Sequence, residues 1–218
     1  MRRFLTAVLL ASVAQTLPAA GQSTNAPPVI ETFDALDPNA LPWITPEQRA
    51  NAAALLEDYK AGRIAYFVVA ASPRGTYVTR TWFALGTGLE EVARQALESC
   101  EYVDETPCRL IAVSDRSTQR PGGGWAGQPV LLSGEGGLFD HRRVPFVVDA
   151  DRANLRAYTR AARPKVMMLN NGGYWAYRSG ATIAEALAEA TKGCEGEPKT
   201  TTCFVYAVDD HVVFTPVN

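Results

Sequence analysis

An α+β fold is predicted, built as two tandem helix-strand-strand-helix-strand repeats, and three observations predict it. Short motifs recur at one constant offset: Leu41-Pro42-Trp43 is answered by Val144-Pro145-Phe146, and Arg49-Ala50-Asn51 by Arg152-Ala153-Asn154. Two apolar stripes with helical period each run into a cysteine, Leu89, Val92, Ala93, Ala96, Leu97 to Cys100 and Ile183, Ala186, Leu187, Ala190 to Cys194. After each stripe a second cysteine, Cys108 or Cys203, opens an apolar strand. The predicted organisation is a leader over 1–21, an extended arm over 22–39, a first repeat over 40–115, a Gly-rich linker over 116–143 and a second repeat over 144–218.

Met1-Arg2-Arg3, the apolar run 4–14 (FLTAVLLASVA) and the small residues around 17–21 read as a secretory signal. The run is well short of the roughly 20 residues that a bilayer span needs, and no later segment reaches that length. No cysteine follows the run, which excludes lipid anchoring there. The short basic start has a bacterial look, so the expected location is periplasmic or secreted. Without Arg2 and Arg3 the chain keeps 19 basic against 23 acidic residues. That balance offers no field for nucleic acid or anionic lipid.

In each repeat a helical stretch leads to an apolar strand, 64–71 (IAYFVVAA) or 165–169 (KVMML). Breaker clusters follow, Pro73-Arg74-Gly75 and Asn170-Asn171-Gly172-Gly173, and the aromatic stretches 76–83 (TYVTRTWF) and 174–178 (YWAYR) read as returning hairpin strands. Thr87 with Glu90 and Thr182 with Glu185 make capping boxes ahead of the amphipathic helices. The last strands are 109–114 (RLIAVS) and 204–208 (FVYAV). A hairpin followed by a right-handed helical crossover gives a three-stranded antiparallel sheet of order 2-1-3. The first strand is apolar on both faces, so the two repeats are expected to pack as a pseudo-two-fold pair, sheet to sheet or edge to edge.

Export makes the cysteines readable as disulfides, Cys100 with Cys108 and Cys194 with Cys203, although crossed pairings are also open to four cysteines. Neither pair has the spacing of a zinc knuckle, and the only histidines are His141 and His211, so no metal is expected. Each short loop closed this way adds about 2–3 kcal/mol in the chain-entropy picture.

Chemistry has few places to sit. No G-x-S-x-G elbow, Ser-x-x-Lys or His-Glu-x-x-His occurs. The Gly-rich stretch around Pro121-Gly122-Gly123-Gly124 lacks the Gly-Lys-Ser/Thr of a phosphate loop and reads as a linker, with Trp125 docking somewhere or standing exposed as a contact for a protein partner. Asp209-Asp210-His211 and Asp140-His141 would form an acid–base or metal site if they met, which is the basis of an alternative reading as an envelope hydrolase. The plainer reading makes Asp115 and Asp210 turn formers. Tyr77 with Arg80 and Trp175 with Arg178 share their spacing. Arg80 and Arg178 would pair with an anionic ligand while Tyr66, Trp82, Tyr174 and Tyr177 give stacking surface. Otherwise the aromatics fill the core and the arginines guard strand edges.

The order of small-residue strand, Gly turn, Tyr/Trp strand, Glu/Ala-rich helix ending in Cys and second Cys opening a strand, over 66–113 and again over 167–208, resembles small exported bacterial domains of unknown function, often met in tandem. The resemblance implies export and one disulfide per copy and carries no catalytic residue. The expected function is a non-catalytic binding or interaction module of the envelope, without cofactor, whose partner is an envelope protein or a small acidic or saccharide ligand.

Overall fold

The computed structural model describes residues 21–83, 88–104, 106–133, 136–195 and 202–214. Nearly all of the predicted leader, and Thr87 of the first capping box, lie outside them. The chain enters through β1 (Gln22–Ser23) and an extended arm, passes a 3-10 turn at Pro38–Ala40 and starts α1 (Pro46–Lys60). Thr45 and Gln48 cap α1 reciprocally, and Pro46 occupies the first turn, where its missing N–H leaves no bond unmade. The hairpin β2 (Tyr66–Ala71) and β3 (Tyr77–Trp82) is followed by α2 (Leu89–Asp104) and β4 (Arg109–Val113). Then come β5 (Arg116–Ser117), β6 (Leu132–Ser133), β7 (Gly137–Leu138) and a 3-10 turn at His141–Arg143. Two short helices, α3 (Asp149–Asn154) and α4 (Arg156–Arg160), precede β8 (Lys165–Leu169), β9 (Trp175–Ser179), α5 (Ile183–Glu195), β10 (Phe204–Val208) and β11 (His211–Val212). Thr182 accepts from Glu185 N–H as predicted, whereas Glu185 reaches back to Ala181 N–H, one residue earlier than a standard box.

The sheets are antiparallel, one of four strands in the order β3-β2-β4-β5 and one of five in the order β7-β11-β10-β8-β9. Three strands per sheet is thus an underestimate, and the cause is local. Two-residue turns, Ser114-Asp115 and Asp209-Asp210, fold the chain straight back after β4 and β10, each opening with a residue at φ 51°. The segment expected to be a plain linker then supplies β5 to one sheet and β7 to the other, while β6 pairs with β1. The arm is extended but zipped down: Phe33 N–H donates to Ser117 O, Ser117 N–H to Asp34 O and Leu36 N–H to Asp115 O.

The expected contact between the halves, sheet to sheet or edge to edge, is also corrected. On β2, Phe67, Val69 and Ala71 pack with Ala52 and Leu56 of α1, and Val68 and Ala70 pack with Val92, Ala96 and Leu97 of α2, so each sheet face already has a helix of its own half. The second sheet is covered in the same way, by Leu155 and Tyr158 on the Met167 face and by Ala186 and Ala190 of α5 on the Val166 face. The halves therefore meet through α2, whose Tyr102 lies against Phe146, Phe204 and Phe214, while α5 keeps a solvent face. The disulfides are Cys100–Cys108 and Cys194–Cys203, each tying the C-terminal part of a helix to the segment that opens the next strand.

Unusual backbone occurs in pairs: Trp43 (φ 61°) and Phe146 (69°), Gly75 (97°) and Gly173 (91°), Ser114 and Asp209. In both hairpins the glycine donates to the residue three before it, Ser72 O or Asn170 O, at 3.1 Å. A Cβ on Gly75 would stand 3.8 Å from Trp43 O, whereas one on Gly173 would stand 2.6 Å from Phe146 O, an impossible contact with backbone. Both positions disfavour an L side chain. Gly173→Ala is therefore expected to cost about 1–2 kcal/mol more than Gly75→Ala by urea denaturation; equal losses would show that the turn relaxes freely.

Candidate functional site

The second face of α2 carries Arg94, Gln95, Glu98 and Ser99, all buried against the second half. Glu98, with no exposed surface, accepts from Phe146 N–H at 2.7 Å and faces Arg94 at 3.3 Å and Arg152 at 3.5 Å. Arg94 also donates to Val147 O and Asp149, and Arg152 donates to Val144 O and Asn25. Gln95 donates to Phe146 O at 2.5 Å. A buried charge survives only when paired and hydrogen-bonded, and here each group is. Burial, then the charge of Arg94, lowers the Arg152 pKa.

This network floors a cleft of about 480 Å³. The arm roofs it with Pro27 and Pro28, Glu91 and Arg94 form the α2 wall, and Asp149 and Arg156 form the opposite side. Burial first, then the Asp149 carboxylate, raises the Glu91 pKa, and the two carboxyl groups share a hydrogen bond. Both carboxyl groups offer acceptor oxygens to the cleft. Arg156 is exposed and has no partner among the described residues, so it faces the cleft as an uncommitted cation. His141 and Arg142 stand at the rim, both beside Asp140.

The ligand set predicted from the hairpins is not brought together. Tyr77 lies on the α1 face, its hydroxyl donating to Asn51 at 2.9 Å. Arg80 points the other way, as their odd spacing requires, and donates to Ser99 Oγ (2.7 Å) and to Asn171 O across the junction. Burial lowers its pKa. Trp82 and Tyr66 pack along the α2 side. Trp175 stacks on Tyr177 at 6.3 Å and both rings join the second core, while Tyr174 is exposed. Arg178 sits exposed over α5, donating to Tyr177 O.

Asp209, Asp210 and His211 are equally dispersed in their work. Asp209 accepts from Lys165 N–H at 3.0 Å, and Asp210 pairs with Lys165 Nζ at 2.9 Å and with Arg163. His211 is exposed in β11. Asp140 caps the 3-10 turn through Arg142 N–H. Trp125 is half-buried, its ring 5.7 Å from that of Trp43, rather than an exposed contact. No group of three or more metal-ligating side chains occurs among the described residues, and no helix there is long and apolar enough to cross a membrane.

No family model, curated protein or solved structure matches the chain. The site must accordingly be read from its own chemistry. What sequence reasoning missed is the cleft: Arg94, Glu98 and Arg152 look like ordinary helix-surface charges, and their partners lie far along the chain. The one available signal is a contrast. Counted back from each helix cysteine, the positions of Arg94, Gln95, Glu98 and Ser99 are Ala188, Glu189, Lys192 and Gly193 in the second helix. One helix carries a solvent face there and the other does not.

Proposed function

We propose that this chain is an exported binding module of the bacterial envelope, built by duplication of one α+β unit, and that the cleft roofed by the arm takes a small acidic ligand of the sugar-acid type. The duplication is supported by the paired positive-φ residues and by Arg49 and Arg152, which donate to equivalent carbonyls, Leu41 O at 3.2 Å and Val144 O at 2.9 Å. Export is supported by the basic and apolar start of the sequence and by two disulfides, which suit an oxidising compartment. The resemblance to small exported domains points the same way.

The observation that carries the ligand class is the uncommitted Arg156, which lines the cleft beside Asp149 and across from Glu91. A carboxylate pairs with the guanidinium, ring hydroxyls donate to the Glu91 and Asp149 oxygens, and the two prolines give the ring an apolar lip. Glucuronate titrated into isotopically labelled protein is expected to shift amides of α3, α4, Asn25 and Ala26 saturably, and to bind more tightly than glucose. Arg156→Ala should weaken it about tenfold while leaving the melting temperature unchanged, and added salt should weaken it further. Shifts confined to other surfaces, or equal binding by the variant, would overturn the assignment.

A further inference from the structure

The junction between the halves is a worked example of how this unit receives a helix. In the second half, Phe146 N–H and Arg152 Nη2 together hold the Glu98 carboxylate of α2, and Tyr102 covers the Phe146 ring at 5.6 Å. The first half has the same acceptor surface without the helix. Trp43 stands where Phe146 does, at matching positive φ, and Trp125 covers its ring at 5.7 Å much as Tyr102 covers Phe146. No described residue accepts from Trp43 N–H. Arg49 gives Nη2 to Leu41 O, and its Nε is buried without any partner.

An orphaned buried donor is costly, and the other half shows how this one is relieved. Arg152 gives Nε to its carbonyl, Val144 O, and so frees Nη2 for Glu98. Turning the Arg49 guanidinium into that arrangement satisfies Nε and presents Nη2 outward beside Trp43 N–H. We propose that Trp43 and Arg49 form a docking socket for a helix of a partner protein that presents a glutamate as α2 presents Glu98. A second copy of this chain offering α5 does not fit, because Lys192 stands where Glu98 does and meets Arg49 with like charge. The inference rests on the duplication reading, since that reading equates Arg49 with Arg152.

The probe is a synthetic peptide of the α2 sequence, 89–104, with Cys100→Ser and with Tyr102→Ala because Trp125 already fills the Tyr102 position, titrated into full-length labelled protein. Saturable shifts at Trp43 and Arg49 are expected, with binding weakened about tenfold or more by Glu98→Lys in the peptide or by Arg49→Ala in the protein. Arg49→Lys, which keeps the charge and loses the fork, is expected to fall between. Shifts at Phe146 in place of Trp43 mean that the peptide has merely exchanged with α2, and overturn the socket. So does acetate producing the same shifts at equal concentration, because a helix is then not what is recognised. The parent reading is judged separately, from the exchange rate of the Phe146 amide in full-length Glu98→Gln protein. An unchanged rate removes the template itself, whereas faster exchange together with a silent Trp43 removes only the socket.

Discussion

Glu98→Ala is expected to destabilise the chain by about 3–5 kcal/mol, because it strands two guanidinium groups and one amide donor in the junction. Arg94 and Arg152 have side chains only 7% exposed, and water cannot replace the lost carboxylate at either. Phe146 N–H, buried with its residue, loses its acceptor in the same step. Urea denaturation followed by far-ultraviolet circular dichroism measures the loss, and in a Trp175→Phe background intrinsic fluorescence reports Trp43, Trp82 and Trp125 of the first half and linker separately from the second. With the junction broken, the two probes should cease to coincide, since each half retains its own two-sided core. Replacing the trio together, Arg94→Met, Glu98→Leu and Arg152→Met, should cost much less than Glu98→Ala alone, because no charge is left buried without a partner. A single-variant loss below about 1 kcal/mol would mean that the network is an ornament of a junction held by Tyr102 and its aromatic neighbours.

That network also marks the limit of what the sequence discloses. Elements with several turns or several alternations are legible: the α2 and α5 stripes, the apolar β2 and the cysteine pairs are each stated by residues close together in the chain. The strands β5, β7 and β11 are illegible because two residues carry no periodicity; the positive-φ turns at Ser114 and Asp209 mark β5 and β11 alone, and neither is glycine. Burial of polar side chains is the harder loss. Lys165 stands where the other half has Phe67, and a strand-end lysine reads as solvated. Yet it is 1% exposed, its ammonium donating to Tyr158 O at 2.8 Å and paired with Asp210. The acidic cluster that suggested hydrolysis serves as its counter-charge. In the same way Arg80, placed correctly on the face opposite Tyr77, is spent on the junction. A face assignment follows from parity, but whether that face meets solvent, a ligand or another half depends on contacts across the whole chain.

Glu101 provides the second large effect, and it is a dependence on pH. Its Oε2 accepts from Leu131 and Leu132 N–H at 2.9 and 3.0 Å, and its Oε1 is buried without a partner. Burial pushes its pKa up to about 7 from an ordinary value of 4.5, outweighing the two amides, and the Glu98 charge adds to the rise. The folded protein thus holds a proton that the unfolded chain has released between those limits. Stability must then fall as pH rises across that window and level off above it. The full displacement corresponds to about 3 kcal/mol. Glu101→Gln keeps an oxygen for both amides and has no proton to lose, so the variant should match the wild type near pH 4.5 and exceed it by about 2–3 kcal/mol at pH 8. Glu91 biases stability in the same direction, and Asp104 and Asp140, whose pKa values are lowered, act oppositely at more acidic pH. The difference between the two urea-stability curves isolates Glu101 from all three. If that difference stays flat from pH 4.5 to 8, the carboxylate is solvated in the folded state, and the clasp between α2 and β6 is looser than its hydrogen bonds depict.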